Sequence, residues 1–319
     1  MSSTTALPLP AATNPRGPIR LAVSMLVVTT ITILWGAMTT STGSGLAYLD
    51  WPRSDGQLMP ESSYTTLPGF FEHFHRLFGA TAGLLSLSLA LWLHASRDRH
   101  DHRGVLASAR RTAWFGLCLI IAQGVIGGVG VLKGLPAITS VTHGTLAQLT
   151  LATFACCTYQ LSDRYRNTAP VANVPIGGGR KLALFALVVV VVQTVLGAVA
   201  RHTNNTHALW THVGNALVVF LVATIATAYA VGKLAQAPGI KRLSQAVVGL
   251  LILQIALGFV ALVIRNSAGK TQENVANLGT ALVISVHVLL GALLTVLMAT
   301  LVAHVFRATR PPASPGAVA

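Results

Sequence analysis

Long apolar runs separated by short polar segments dominate the pattern of the chain. Runs of the length that a helix needs to cross a bilayer, about 20 residues, lie near 20–41, 73–95, 112–132, 141–161, 181–200, 208–231, 243–265 and 277–303. A membrane-spanning helix satisfies all of its backbone hydrogen bonds internally. The pattern therefore predicts an all-α polytopic membrane protein with eight transmembrane helices.

The apolar runs repeat with a period of four. The third, fifth and seventh runs contain Gln-x-x-x-Gly, at Gln123–Gly127, Gln193–Gly197 and Gln254–Gly258, and the first run has Gly36 in the corresponding region. This spacing predicts helix–helix packing, because the amide can bond across the interface while the glycine permits close approach. The repeat predicts two pseudo-symmetric four-helix bundles, an N-terminal one over 20–161 and a C-terminal one over 181–303.

The charges lie between the apolar runs. An excess of 22 Lys and Arg over 8 Asp and Glu would suggest nucleic-acid binding in a soluble protein, but only 9% of this chain is charged. Alternate connections hold few basic residues, namely Arg53, Arg76, Lys133, Arg201, Arg265 and Lys270. By the positive-inside rule these connections face outward, and both termini are cytoplasmic. We therefore expect no nucleic-acid partner.

The remaining segments are assigned to the cytoplasmic side. They are a disordered tail over 1–19, a linker over 162–180 and a tail over 304–319. The first tail lacks the amphipathic character of a transit peptide, which favours a bacterial cytoplasmic membrane.

Each even-numbered run begins with a histidine at its outer end. The histidines are His75, His143, His212 and His287, and the residues four positions later are small: Gly79, Ala147, Ala216 and Gly291. A lone membrane histidine usually bonds a neighbouring helix, but four in one register favour axial ligation of heme iron. The sequence predicts one heme site per bundle near the outer face, with His75 and His143 in the first bundle.

Two charged residues flank the first of these histidines. Glu72 lies one helical turn before His75, and Arg76 directly follows His75. A carboxylate at the membrane edge is costly unless it pairs or takes part in chemistry. Glu72 is thus either a catalytic group or an acid that the helix dipole favours, and Arg76 is either a partner for a heme propionate or an ordinary interfacial arginine.

The longest outer connection covers residues 42–71. It is rich in Gly and Pro and carries Tyr48 and Trp51. Its composition fits a cap folded over the membrane surface and an open loop equally well.

These motifs resemble those of the heme A synthase family. The resemblance extends from about residue 20 to 305 and rests on Glu72-x-x-His75-Arg76, Thr142-His143-Gly-x-x-Ala-Gln148, His212, His287 and the order of the runs. Members of that family oxidise a ring methyl of heme O to the formyl group of heme A for terminal oxidases. Many bacterial members have a cysteine pair in the first outer loop, whereas this chain has none between Thr42 and Pro68.

The resemblance implies an oxidoreductase acting on a methyl group. It implies that His212 and His287 are the axial ligands of a permanent heme b. It also implies that His75 and His143 face the substrate heme O, with Glu72 as the catalytic acid. Membrane lipid, a heme O synthase and a terminal oxidase in assembly are the partners expected with this activity.

Two other functions fit the same pattern. A diheme b-type membrane electron carrier would hold permanent hemes at both histidine pairs and modify neither. A transporter or structural membrane protein would use the histidines only to bridge helices. The bound pigments distinguish the three, because they would be heme A, heme B alone or no heme.

Overall fold

A computed structural model describes residues 16–96, 105–203, 205–268 and 277–310. Over these residues the chain is helical apart from loops and an isolated bridge between Ser54 and Gln57. The helices are α1 (Arg16–Ser41), α2 (Ser62–Thr65), α3 (Leu67–Ala95), α4 (Val105–Leu132), α5 (Ala137–Leu161), α6 (Asp163–Asn167), α7 (Ile176–His202), α8 (Thr206–Lys233), α9 (Ile240–Ala268) and α10 (Leu278–Ala308).

Most of the long helices carry an apolar outer surface. Within the described ranges, seven are long and apolar enough to cross a membrane: α1, α3, α4, α7, α8, α9 and α10. Large side chains on them are exposed, such as Leu84 at 68% and Leu217 at 72%. Such a surface is stable against lipid and unfavourable in water. The prediction of an all-helical, multi-pass membrane protein is confirmed.

The predicted span at 141–161 is α5, which is more polar than the other long helices. It has 25 residues and no Asp, Glu, Lys or Arg, but it is rich in threonine. Thr150, Thr153 and Thr158 donate to the carbonyl four residues back, so their hydroxyls are satisfied inside the helix. Because α5 packs on α1, α4, α7 and α10, much of its surface meets protein. Its crossing of the membrane stays a prediction.

The long helices pack as two closed rings. In the first, α1 contacts α3, α3 contacts α4, α4 contacts α5, and α5 returns to α1. In the second, α7, α8, α9 and α10 follow the same order. Met25, Leu89 and Phe154 belong to the core of the first ring, and Val219 and Met298 to that of the second. The rings meet through α1, α5, α7 and α10.

Several helix ends lie outside the apolar runs. Helix α1 begins at Arg16, inside the predicted tail 1–19, whose residues 1–15 lie outside the described part. The predicted linker 162–180 contains α6 and the first turn of α7. Long charged side chains can lie at the membrane edge with their charge in water, so a helix can extend beyond its apolar run. A prediction based on the apolar run alone therefore ends the helix too early.

The last helix continues five residues into the predicted tail 304–319. His304 is fully buried, and its Nδ1 shares a hydrogen bond with the hydroxyl of Tyr159. Arg307 donates from Nε to the carbonyl of Tyr165 at 2.8 Å. These contacts hold residues 304–308 as helix, so any tail begins after Ala308, and residues 311–319 lie outside the described part.

Candidate functional site

The four predicted histidines lie together as two pairs, one in each ring of helices. The ring centres of His75 and His143 are 6.2 Å apart, with an angle of 82° between the planes. Those of His212 and His287 are 6.3 Å apart at 90°. Each pair therefore joins the second and fourth long helix of its ring.

Each histidine ring packs against a glycine of the preceding long helix. The contacts are Gly36–His75, Gly127–His143, Gly197–His212 and Gly258–His287. A Cβ atom built on these glycines would lie between 2.5 and 3.1 Å from the Cε1 atom of the ring. At Gly36 and Gly197 a methyl group would clash with the imidazole, and at Gly127 and Gly258 it would press tightly on it.

The glutamines of the repeat hold the helices that carry the histidines. Gln123, Gln193 and Gln254 donate from Nε2 to the backbone carbonyls of His143 (3.1 Å), His212 (2.8 Å) and His287 (3.0 Å). An amide that bonds across an interface fixes the register of two helices in a membrane. The predicted packing role of Gln-x-x-x-Gly is confirmed.

The protonation of two histidines follows from their backbone contacts. Nδ1 of His75 lies 3.1 Å from the carbonyl oxygen of Thr32, and Nδ1 of His212 lies 3.2 Å from that of Gln193. Because a carbonyl only accepts, Nδ1 carries the proton and Nε2 keeps its lone pair. This is the usual arrangement of a metal-ligating histidine.

The separation within each pair suits a shared metal atom. Metal–imidazole bonds are about 2.0–2.1 Å long, so two rings on opposite sides of one metal have centres about 6.4 Å apart. The observed 6.2 and 6.3 Å match this value. A Cβ on Gly79, one turn below His75, would meet no atom within 4 Å, which leaves space beside the ring. The separation of the rings in each pair thus matches that of two axial ligands of one heme iron.

The first outer connection is folded, and we call residues 42–61 the cap. Tyr48 is only 1% exposed, and the ring of Trp51 packs on Gly128 of α4, whose Cβ would lie 2.5 Å from it. The carboxylate of Asp50 accepts from the backbone N–H of Gly56 at 2.8 Å. This hydrogen bond holds the pKa of Asp50 below its ordinary value. The connection is therefore folded against α3 and α4 and is not an open loop, while its position over the membrane surface stays a prediction.

The cap is fastened to the turn of α3 that carries the first histidine. The buried carboxylate of Glu72 accepts from the backbone N–H of Tyr48 at 3.0 Å and forms an ion pair with Arg76. Arg76 also donates to the carbonyls of Tyr48 (3.1 Å), Asp50 (2.7 Å) and Arg53. Both terminal nitrogens of Arg76 thus bind protein atoms, and its pairing with a propionate stays a prediction.

Of the other described histidines, His73 and His207 do not join the pairs, whereas His202, at the end of α7, interacts electrostatically with His143. His73, which points away from His75 on α3, bonds from Nδ1 to the hydroxyl of Ser54 at 3.0 Å and so supports the cap. His207 is exposed at the start of α8. His100 and His102 lie outside the described residues.

A comparison of the sequence with models of protein families identifies the family. The model of the COX15-CtaA cytochrome oxidase assembly proteins matches residues 19–218, more than half of the 319 residues. The chain belongs to this family. His75, His143 and His212 lie inside the matched part of this COX15-CtaA member, and His287 lies beyond it.

Curated relatives of this COX15-CtaA member are named heme A synthase. The one from Symbiobacterium thermophilum is 27% identical over 187 residues, which cover 57% of this chain and 58% of the relative. The one from Roseobacter denitrificans is 29% identical over 136 residues, covering 40% and 34%. The one from Bacillus licheniformis is 27% identical over 195 residues, covering 56% and 58%. The chain thus spans about half the length of the relatives it matches.

The contact between Gly197 and His212 gives a testable prediction. In this COX15-CtaA member, Gly197→Ala would place a methyl group 2.8 Å from the ring. We expect it to lower stability by about 1–3 kcal/mol, as overpacking does. Gly214→Ala is the matched control, because its Cβ would meet no atom within 4 Å. Thermal unfolding in detergent should show a lower Tm for Gly197→Ala alone, and equal Tm values would contradict the prediction.

Proposed function

We propose that this protein is a heme A synthase, which oxidises a ring methyl of heme O to the formyl group of heme A for terminal oxidases. The observation that supports it best is that the histidine pair occurs twice but only one pair has a nearby carboxylate. Both pairs have the separation that a heme iron needs. Only the first has a carboxylate, Glu72, one helical turn away. The names of the relatives support the same activity.

The two pairs are proposed to have different roles. His212 and His287 would be the axial ligands of a resident heme b, which supplies electron relay when bound. His75 and His143 would ligate the substrate heme O. Entry of heme O from the surrounding lipid suits its apolar farnesyl tail.

The proposed architecture is a pair of pseudo-symmetric four-helix bundles in the cytoplasmic membrane. The order of contacts in the ring α1, α3, α4 and α5 equals that in the ring α7, α8, α9 and α10, which supports the symmetry. In this proposal α5 is the eighth crossing, because helices rather than lipid meet much of its polar surface. Both termini are then cytoplasmic and the histidine pairs lie near the outer face.

Side chains of the first bundle would prepare the substrate for oxidation. The two histidines hold and orient the macrocycle, and the cap excludes water from the outer end. Glu72 would stabilise positive charge at the oxidised carbon or accept the proton that leaves it. Its ion pair with Arg76 keeps the carboxylate in place inside the protein.

Pigment analysis tests the proposal. The protein is expressed in cells that contain a heme O source, and the hemes of the membranes are extracted and separated by chromatography. We expect heme A to appear, dependent on this chain. Heme O left unchanged with heme B in both sites would indicate the diheme electron carrier. A purified protein without a Soret band would indicate a transporter or structural protein, and either result would contradict the proposal.

A further inference from the structure

Arg201 is a cation at the end of α7 whose charge is not balanced within the described residues. Its Nη2 donates to the carbonyl of Ala37 and to the hydroxyl of Ser41, both at 2.8 Å. The ion pairs of the described residues join Arg76 to Glu72 and Arg166 to Asp163, so no described carboxylate pairs with Arg201. Its Nε and Nη1 donate to no described residue.

Arg201 continues the face of α7 that contacts His212. Gln193, Gly197 and Arg201 are spaced by four residues and so lie on one side of the helix. Gln193 bonds the backbone of His212, and Gly197 packs on its ring. The corresponding positions of α1, α4 and α9 are uncharged: Thr40, Val131 and Leu262. At this position of the repeat, a cation is present only on α7, the helix that contacts His212.

A second set of contacts connects Arg201 to α10, the helix that carries the other member of that pair. Ser41, which accepts from Arg201, shares a hydrogen bond of 3.1 Å with the hydroxyl of Ser285. Ser285 lies two residues before His287 on α10. The charge of Arg201 also acts electrostatically on His287. The guanidinium at the end of α7 thus lies against α1 and, through Ser41, is connected to the end of α10 that carries His287.

We propose that Arg201 binds a propionate carboxylate of the heme held by His212 and His287, a role that rests on the proposed function. Heme carries two propionates, and a guanidinium donates charge-assisted N–H hydrogen bonds to a carboxylate. The Nε and Nη1 of Arg201 remain as donors, each for a single hydrogen bond, because both parallel donor pairs of a guanidinium include Nη2, whereas the terminal nitrogens of Arg76 are used by the cap. A charge removed from water needs such a partner.

Heme with esterified propionates tests the contact directly. Full-length protein produced under heme limitation is titrated in detergent with heme B or with its dimethyl ester, and the Soret band reports binding. All proteins carry His75→Ala, which disables the first pair. With Arg201 present, we expect the free acid to bind about tenfold more tightly than the ester or better. Arg201→Gln should bring the ratio of the two Kd values close to one.

Two further variants make the result specific. Arg201→Lys should keep part of the preference, because it keeps the charge but carries it on a compact ammonium with a different reach. Arg53→Gln removes an exposed arginine of the cap and should leave the ratio unchanged. Since each ratio is measured on one preparation, a lower folded fraction does not alter it. An unchanged ratio in Arg201→Gln would overturn this inference, whereas binding of neither heme to the Arg201 protein would overturn the proposed function instead.

Discussion

Replacement of His212 by alanine should remove most of the heme b from the purified protein. The second pair then has only one histidine left to bind iron. The lost ligand is Nε2 of His212, whose ring is oriented by the hydrogen bond from Nδ1 to the carbonyl of Gln193. We expect the heme B content per protein to fall by about tenfold or more, since even indirect changes at metal sites weaken binding by about 10–100-fold. His287→Ala should have the same effect, because both rings face one site. Extracted heme, measured against protein, gives the result.

His207 provides the matched control for this variant. It lies on the same helix, five residues before His212, and its side chain is exposed. His207→Ala should therefore retain the wild-type heme B content. Wild-type heme in the His212→Ala protein would show that the second pair is not a ligand pair and that His212 only packs between helices.

Replacement of Glu72 by alanine should lower heme A formation by about 100-fold or more, the range expected when a charged or proton-accepting group is removed from a reaction. Heme B should remain, because the second pair is untouched. The measurement is the amount of heme A extracted from cells that supply heme O. Glu61→Gln is the matched control, since Glu61 is an exposed acid in the cap.

Glu72→Gln separates chemistry from support of the cap. The amide oxygen of Gln can still accept from the backbone N–H of Tyr48, but it loses the charge that pairs with Arg76. If Glu72 takes part in the reaction, Glu72→Gln should be as inactive as Glu72→Ala while the cap resists limited proteolysis as in the wild type. An active Glu72→Gln protein would show that Glu72 only holds the cap. Wild-type activity in Glu72→Ala would show that the reaction does not need Glu72.

The features that repeat along the chain could be predicted from the sequence. The register of His75, His143, His212 and His287 is visible because each begins an even-numbered apolar run and has a small residue four positions later. The same repeat predicted the packing of Gln-x-x-x-Gly, although not that each glycine lies under a histidine ring. That contact depends on which helices are neighbours, and periodicity within one helix does not contain this information.

The features that sequence reasoning missed connect segments far apart in the chain. Tyr48 meets Glu72 across 24 residues, and Arg201 meets Ala37 across 164. Such single polar contacts leave no periodic trace. The i, i+4 spacing of Glu72 and Arg76 was a readable signal for their ion pair. The ends of α10 and α1 were missed because interfacial arginines and buried polar residues continue those helices beyond the apolar pattern.

The central claim is that two similar histidine pairs have unequal roles, one for a resident heme b and one for the heme that is modified. It is tested most directly by chromatography of the hemes extracted from purified wild-type and His75→Ala proteins, both produced with a heme O source. The account predicts heme B in both proteins and heme A only from the wild type. Identical pigments in the two proteins, or loss of heme B from His75→Ala with heme A retained, would contradict it.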